Sequence, residues 1–94
     1  MWWWNMGVNI SLEQEAEIQL EMDIIHATIE ARKKANLSQR DLSKVSGIKQ
    51  PAIARIEKFS GSPRIATMMK LLYSMGYTLK VVPLGETEKK ILDQ

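Results

Sequence analysis

The sequence predicts a mostly all-α fold, a bundle of about five helices with one C-terminal β-strand. Three observations carry that expectation. Apolar residues recur at helical spacing along much of the chain. Cap residues and glycines cut this pattern into short helices. A run rich in β-formers, Thr78, Leu79, Val81 and Val82, follows the last helix. The chain has 94 residues, which suits one small domain. A domain of this size buries a modest share of its surface and often leans on a partner or a second copy.

Residues 1–10 carry little periodicity and read as a flexible leader, with Trp2, Trp3 and Trp4 adjacent in it. Ser11 fits an N-cap, because its hydroxyl accepts an amide two or three residues on. Residues 11–30 then form an acidic helical segment whose helix runs to about Ala35, with or without a break near Glu21 and Asp23. Ile18, Met22, Ile25 and Ile29 make one apolar stripe. Arg32, Lys33 and Lys34 sit at the end of the helix that favours cations. Asn36 and Leu37 form the next break.

Ser38 and Asp41 have the spacing of a capping box, with Asp in place of the usual Glu or Gln. They predict a helix over 39–45 with Leu42 and Val45 inward. Gly47 supplies the turn. A further helix starts at Lys49 or Gln50 with Pro51 in its first turn, where a missing N–H is tolerated, and turns Ile53 and Ile56 inward. Residues 58–63 form a loop by composition. The last helix, about 64–75, has Ile65, Met68, Leu71, Leu72 and Met75 on its apolar side, and Gly76 ends it. Residues 77–84 read as a strand, limited by Pro83 to a sheet edge. One strand needs a partner, and the rest of the chain offers none. Residues 85–94 form a flexible tail.

The net charge of +2 hides an asymmetry. Residues 1–30 hold six acids and no Lys or Arg, whereas 31–80 hold eleven bases and two acids, Asp41 and Glu57. A basic middle suits a polyanion and an acidic front suits a basic partner. The chain has no cysteine and one histidine, His26, so thiolate and multi-histidine metal sites are excluded. No cofactor and no metal are expected. No paired carboxylates converge with a base, and no phosphate loop or nucleophile elbow is present, so an enzyme is not expected. No apolar run reaches the ~20 residues of a membrane span. The first residues lack the pattern of a secretion signal, so a cytoplasmic protein is expected.

Two short helices joined by a glycine-containing turn have a helix-turn-helix layout, whose second helix enters the major groove of duplex DNA. Gln50 suits adenine and Arg55 guanine, while Ala52 and Ala54 let the backbone sit deep. Arg32, Leu37-Ser38-Gln39, Leu42, Gly47-Ile48, Gln50, Ile53 and Arg55-Ile56-Glu57 together resemble the XRE, phage repressor and Cro-like family. The resemblance implies a lambda-repressor-like core over 31–76. It implies that Gln39 touches a phosphate and braces Gln50, that Gln50 meets a base, and that Arg55 meets a base or phosphate. It further implies an internal ion pair of Arg32 with Glu57. Lys49, Ser60, Ser62 and Arg64 are placed for DNA contacts. Three departures stand out. Lys49 replaces a small capping residue, Pro51 removes a base contact some members make, and Phe59-Ser60-Gly61 lengthens the following turn.

The acidic front, the repressor-like core and the strand at 77–84 together look like the HigA-type antitoxins, which pair with small basic RelE/HigB-like toxins that cleave mRNA. That resemblance implies neutralisation of such a toxin and repression of the chain's own operon. It also implies a homodimer joined through Leu79, Val81 and Val82 that reads a palindromic operator. Glu13, Glu17, Ile18, Leu20 and Glu21 are the candidate toxin-contacting residues. Trp2, Trp3 and Trp4 either add interface contacts or belong to an unstructured leader, with Met6 as an alternative start. A stand-alone or phage-type repressor without a toxin stays open, as does an interaction module that has lost DNA binding.

Overall fold

Four helices follow one another in the computed structural model, which describes residues 6–85, with side chains from residue 12. They are α1 (Met6–Lys34), α2 (Gln39–Ser46), α3 (Gln50–Glu57) and α4 (Ile65–Ser74). Trp2, Trp3 and Trp4, with the rest of residues 1–5 and the tail from 86 onward, lie outside the described residues.

Helix α1 corrects two expectations: it begins at Met6, so Ser11 lies inside it rather than capping it, and residues 6–10 are helical rather than leader. Of the two courses open near Glu21 and Asp23 it takes the unbroken one. The described residues therefore hold four helices rather than about five. The reason is local: after Gly7 no Gly or Pro interrupts α1, and the helix is rich in Glu and Ala. Asn36 ends the helix at φ 58°. Its amide closes on the Lys33 carbonyl and that of Leu37 on the Arg32 carbonyl, 3.0 and 3.1 Å, which satisfies the last-turn acceptors.

Ser38 caps α2 reciprocally. Its hydroxyl accepts the Asp41 amide and the Asp41 carboxylate accepts the Ser38 amide, both at 3.0 Å. Gly47 closes α2 at φ 78°, a conformation open to glycine without steric penalty. Lys49 precedes α3 with no side-chain cap bond.

Residues 22–80 form one compact unit. Ile25 of α1, Leu42 of α2, Ile53 of α3, and Met68 and Leu71 of α4 make its buried core, with Leu37, Ile48, Ile56 and Leu79 packed at its margin. Burying each large aliphatic side chain fully is worth about 1.5–3 kcal/mol. Two residues expected inside are not. Val45 is 57% exposed and Ile65 72%. Val45 lies in the last turn of an eight-residue helix and Ile65 is the first residue of α4, so both sit where their helices run out beyond the core. Along α1, Ile25 is buried and Ile29 half-buried, whereas Ile18 and Met22 are exposed.

The other unit joins residues 1–21 with 81–94. Its described part is the first half of α1, with Ile18 and Leu20 exposed, and residues 81–85, also exposed.

No strand is present among the described residues, and 77–84 is irregular. β-propensity alone makes no ladder. The segment's amides need a partner strand, which the described residues do not supply.

Candidate nucleic-acid interface

Helices α2 and α3 are held at a fixed turn by hydroxyl groups. Ser43 Oγ donates to the Ile48 carbonyl, and Ser46 Oγ accepts the Ile48 amide at 3.1 Å. Sequence reasoning missed both serines. Their signal was the flanking of a glycine turn by short hydroxyl side chains, which commonly bond nearby backbone.

Four side chains from three helices meet in one relay. Arg32 Nε donates to Glu57 Oε2 at 2.7 Å and Nη2 to Oε1 at 2.9 Å. Its third nitrogen, Nη1, donates to the Leu37 carbonyl at 2.9 Å. Gln39 Nε2 donates to Glu57 Oε1 at 3.1 Å. Gln50 Nε2 donates to Gln39 Oε1 at 2.8 Å.

The polarity of this relay is dictated by chemistry. A carboxylate only accepts hydrogen bonds, so Glu57 obliges Gln39 to present its NH₂ there and its carbonyl at the far end. Gln50 must then turn its own NH₂ toward Gln39. Its Oε1 and second N–H remain outside the relay. That pairing of one acceptor and one donor matches the N6 and N7 edge of adenine.

Charge around the relay is one-sided. Of the two acids in 31–80, Asp41 is engaged in the cap of α2 and Glu57 in the ion pair. Hydrogen bonds from the Ser38 amide and hydroxyl hold the Asp41 carboxyl below its ordinary range. For Glu57, burial pushes the carboxyl up, but the bonds from Arg32 and Gln39 and the charges of Arg32 and Lys33 outweigh it and leave it lowered. The bond to Glu57 raises Arg32 despite its burial. Both acids therefore stay anionic and compensated. Arg40, Lys44, Lys49, Arg55, Lys58 and Arg64 are all exposed, so the outward field is positive.

Pro51 is exposed in the first turn of α3, and Ala52 and Ala54 are half-buried. Ser60, Ser62 and Arg64 are exposed between α3 and α4. Glu13, Glu17, Ile18, Leu20 and Glu21 are exposed on α1. Val81 and Val82 are exposed, whereas Leu79 turns in and packs on the core. Among the described residues no cluster of His, Asp or Glu is arranged to hold a metal ion, and no helix is long and apolar enough to cross a membrane.

Comparison with known proteins follows the same lines. Residues 29–81 match the helix-turn-helix family. Over 72 residues, 77% of this chain and 74% of the relative, the sequence is 43% identical to an uncharacterized HTH-type transcriptional regulator of Haemophilus influenzae. A solved chain of a toxin–antitoxin module from Streptococcus pneumoniae matches with a TM-score of 0.65 at 43% identity, covering 77% of this chain and 80% of that one.

Proposed function

The chain belongs to the XRE-type helix-turn-helix family of DNA-binding transcriptional regulators, which are not enzymes, and from that premise we propose that it is the antitoxin of a toxin–antitoxin pair. In this reading it neutralises a small basic RelE/HigB-like toxin that cleaves mRNA, and it represses its own operon from the bacterial nucleoid. The observation that carries the toxin half is the 43% identity, over 80% of its length, to a chain of a toxin–antitoxin module.

For DNA, α3 lies in the major groove with Gln50 on a base and Arg55 on a base or phosphate. Gln39, Lys49, Ser60, Ser62 and Arg64 contact the backbone. The exposed positive face and the oriented Gln50 amide support this assignment. Two copies join through the segment 77–84, in which Val81 and Val82 are exposed, and they read a palindrome. For the toxin, Glu13, Glu17 and Glu21 supply charge complementary to a basic partner, and Ile18 and Leu20 supply apolar anchors.

Co-expression with the product of the adjacent gene tests the toxin half. A stable complex and relief of growth arrest are expected, both lost when residues 1–21 are removed. A truncated chain that still binds and protects refutes the α1 surface. The description of the Haemophilus influenzae relative as a transcriptional regulator favours one second reading, a stand-alone repressor. Absence of a small basic neighbour gene selects it.

A further inference from the structure

Three helices end in the same closure, in which a left-handed residue turns two amides back onto the final turn. That residue is Asn36 after α1, Phe59 after α3 and Gly76 after α4. Gly and Asn visit this conformation routinely. An aromatic residue is strained there, and such strain persists only where its surroundings over-determine it. After α3 the closure is complete. The Phe59 amide bonds the Ile56 carbonyl at 2.9 Å and the Ser60 amide the Arg55 carbonyl at 3.1 Å. Glycine would make the same turn without strain, so the turn alone does not account for a phenylalanine.

The ring has a partner. Phe59 meets His26 of α1 edge to face, with centroids 5.0 Å apart and planes at 65°. Both residues are exposed, so neither fills the core. Immediately beyond Phe59 the chain carries Ser60, Ser62 and Arg64 toward α4. Edge-to-face contact of this kind is attractive beyond the area it buries, and here it bridges two elements far apart in sequence.

We infer that His26 and Phe59 form a latch that ties the loop between α3 and α4 to α1, and that they act as positioning residues for the phosphate contacts of Ser60 and Arg64. This rests on the DNA-binding reading above. The latch predicts that losing either ring loosens contact with the DNA backbone while base readout by Gln50 persists.

Binding of the full chain to its own promoter fragment and to an unrelated duplex, titrated over salt, tests it. His26→Ala and Phe59→Gly should each reduce the steepness of log affinity against log salt by about one unit on both duplexes. Their melting curves should stay cooperative. His26→Tyr, which keeps an aromatic edge, should retain the wild-type slope. In an Arg64→Ala background, His26→Ala should add nothing. If Arg64→Ala flattens the slope but the ring variants do not, the latch is refuted while the DNA reading stands. A loss confined to the promoter duplex also refutes it, because it places the rings in base readout. If Arg64→Ala leaves the slope unchanged, Arg64 makes no phosphate contact, and that assignment falls together with the latch.

Discussion

The carboxylate of Glu57 and the guanidinium of Arg32 meet as a two-pronged pair, with side chains only 11% and 13% exposed. One oxygen of that carboxylate also takes the Gln39 amide. A single half-buried group thus joins α1 to α3 and sets the first link of the relay that ends at Gln50.

Removing either partner leaves the other charge enclosed. Glu57→Ala or Arg32→Ala is expected to cost about 3 kcal/mol of folding stability, read from the urea midpoint. The double variant should cost less than the two singles added together. Full additivity would show that the two side chains do not act on each other.

The same carboxylate gives the fold a dependence on acid. Its folded-state affinity for a proton is lower than in the unfolded chain, so its contribution is complete above the unfolded value of about 4.3. The contribution is lost as pH falls through the lower folded value. Between about pH 5 and pH 3 the melting temperature of the wild type should fall more steeply than that of Glu57→Gln. Asp41 titrates in both proteins and cancels in the comparison. Parallel curves would contradict the assignment.

Lys49 sets stability against binding. It stands as a cation at the positive end of α3 and offers no cap, so Lys49→Ser should stabilise the fold by about 1 kcal/mol. The same change removes a positive charge from the proposed DNA face and should weaken binding to any duplex. A variant that gains stability with undiminished affinity would remove Lys49 from the interface.

Gln50→Ala should lower discrimination at one base pair by about 1–3 kcal/mol with little change in melting temperature. Gln39→Ala should produce a smaller loss at the same base pair and add little to Gln50→Ala. Competition binding with singly substituted operators separates these outcomes. Undiminished discrimination in Gln50→Ala would remove α3 from sequence reading.

How much of this could be read from the chain depended on whether the signal was local. The ends of α2 and the start of α3 were legible because Ser38, Asp41, Gly47 and Pro51 constrain the backbone within a few residues of themselves. The start of α1 was not, since Ser11 has the chemistry of a cap but nothing beside it obliges a helix to begin there. The inward assignments of Val45 and Ile65 failed because helices of eight and ten residues hold too few turns for periodicity to show where packing ends. β-propensity over 77–84 described what that segment tolerates rather than what a single copy pairs with. In the candidate site, the residue types on α3 stood out by chemistry. The direction of every bond in the relay required positions 11 to 25 residues apart to be brought together. The ring contact of His26 with Phe59 left no local pattern at all.

The bond from Gln50 to Gln39 has a thermodynamic corollary. A glutamine that goes from free rotation to one rotamer forfeits about 1.5–2 kcal/mol of conformational freedom. Here that loss is incurred when the chain folds, before any duplex arrives. Under the proposed groove contact of Gln50, encounter with the duplex selects no rotamer, and the entropy of association is correspondingly less unfavourable than for a residue that freezes on contact.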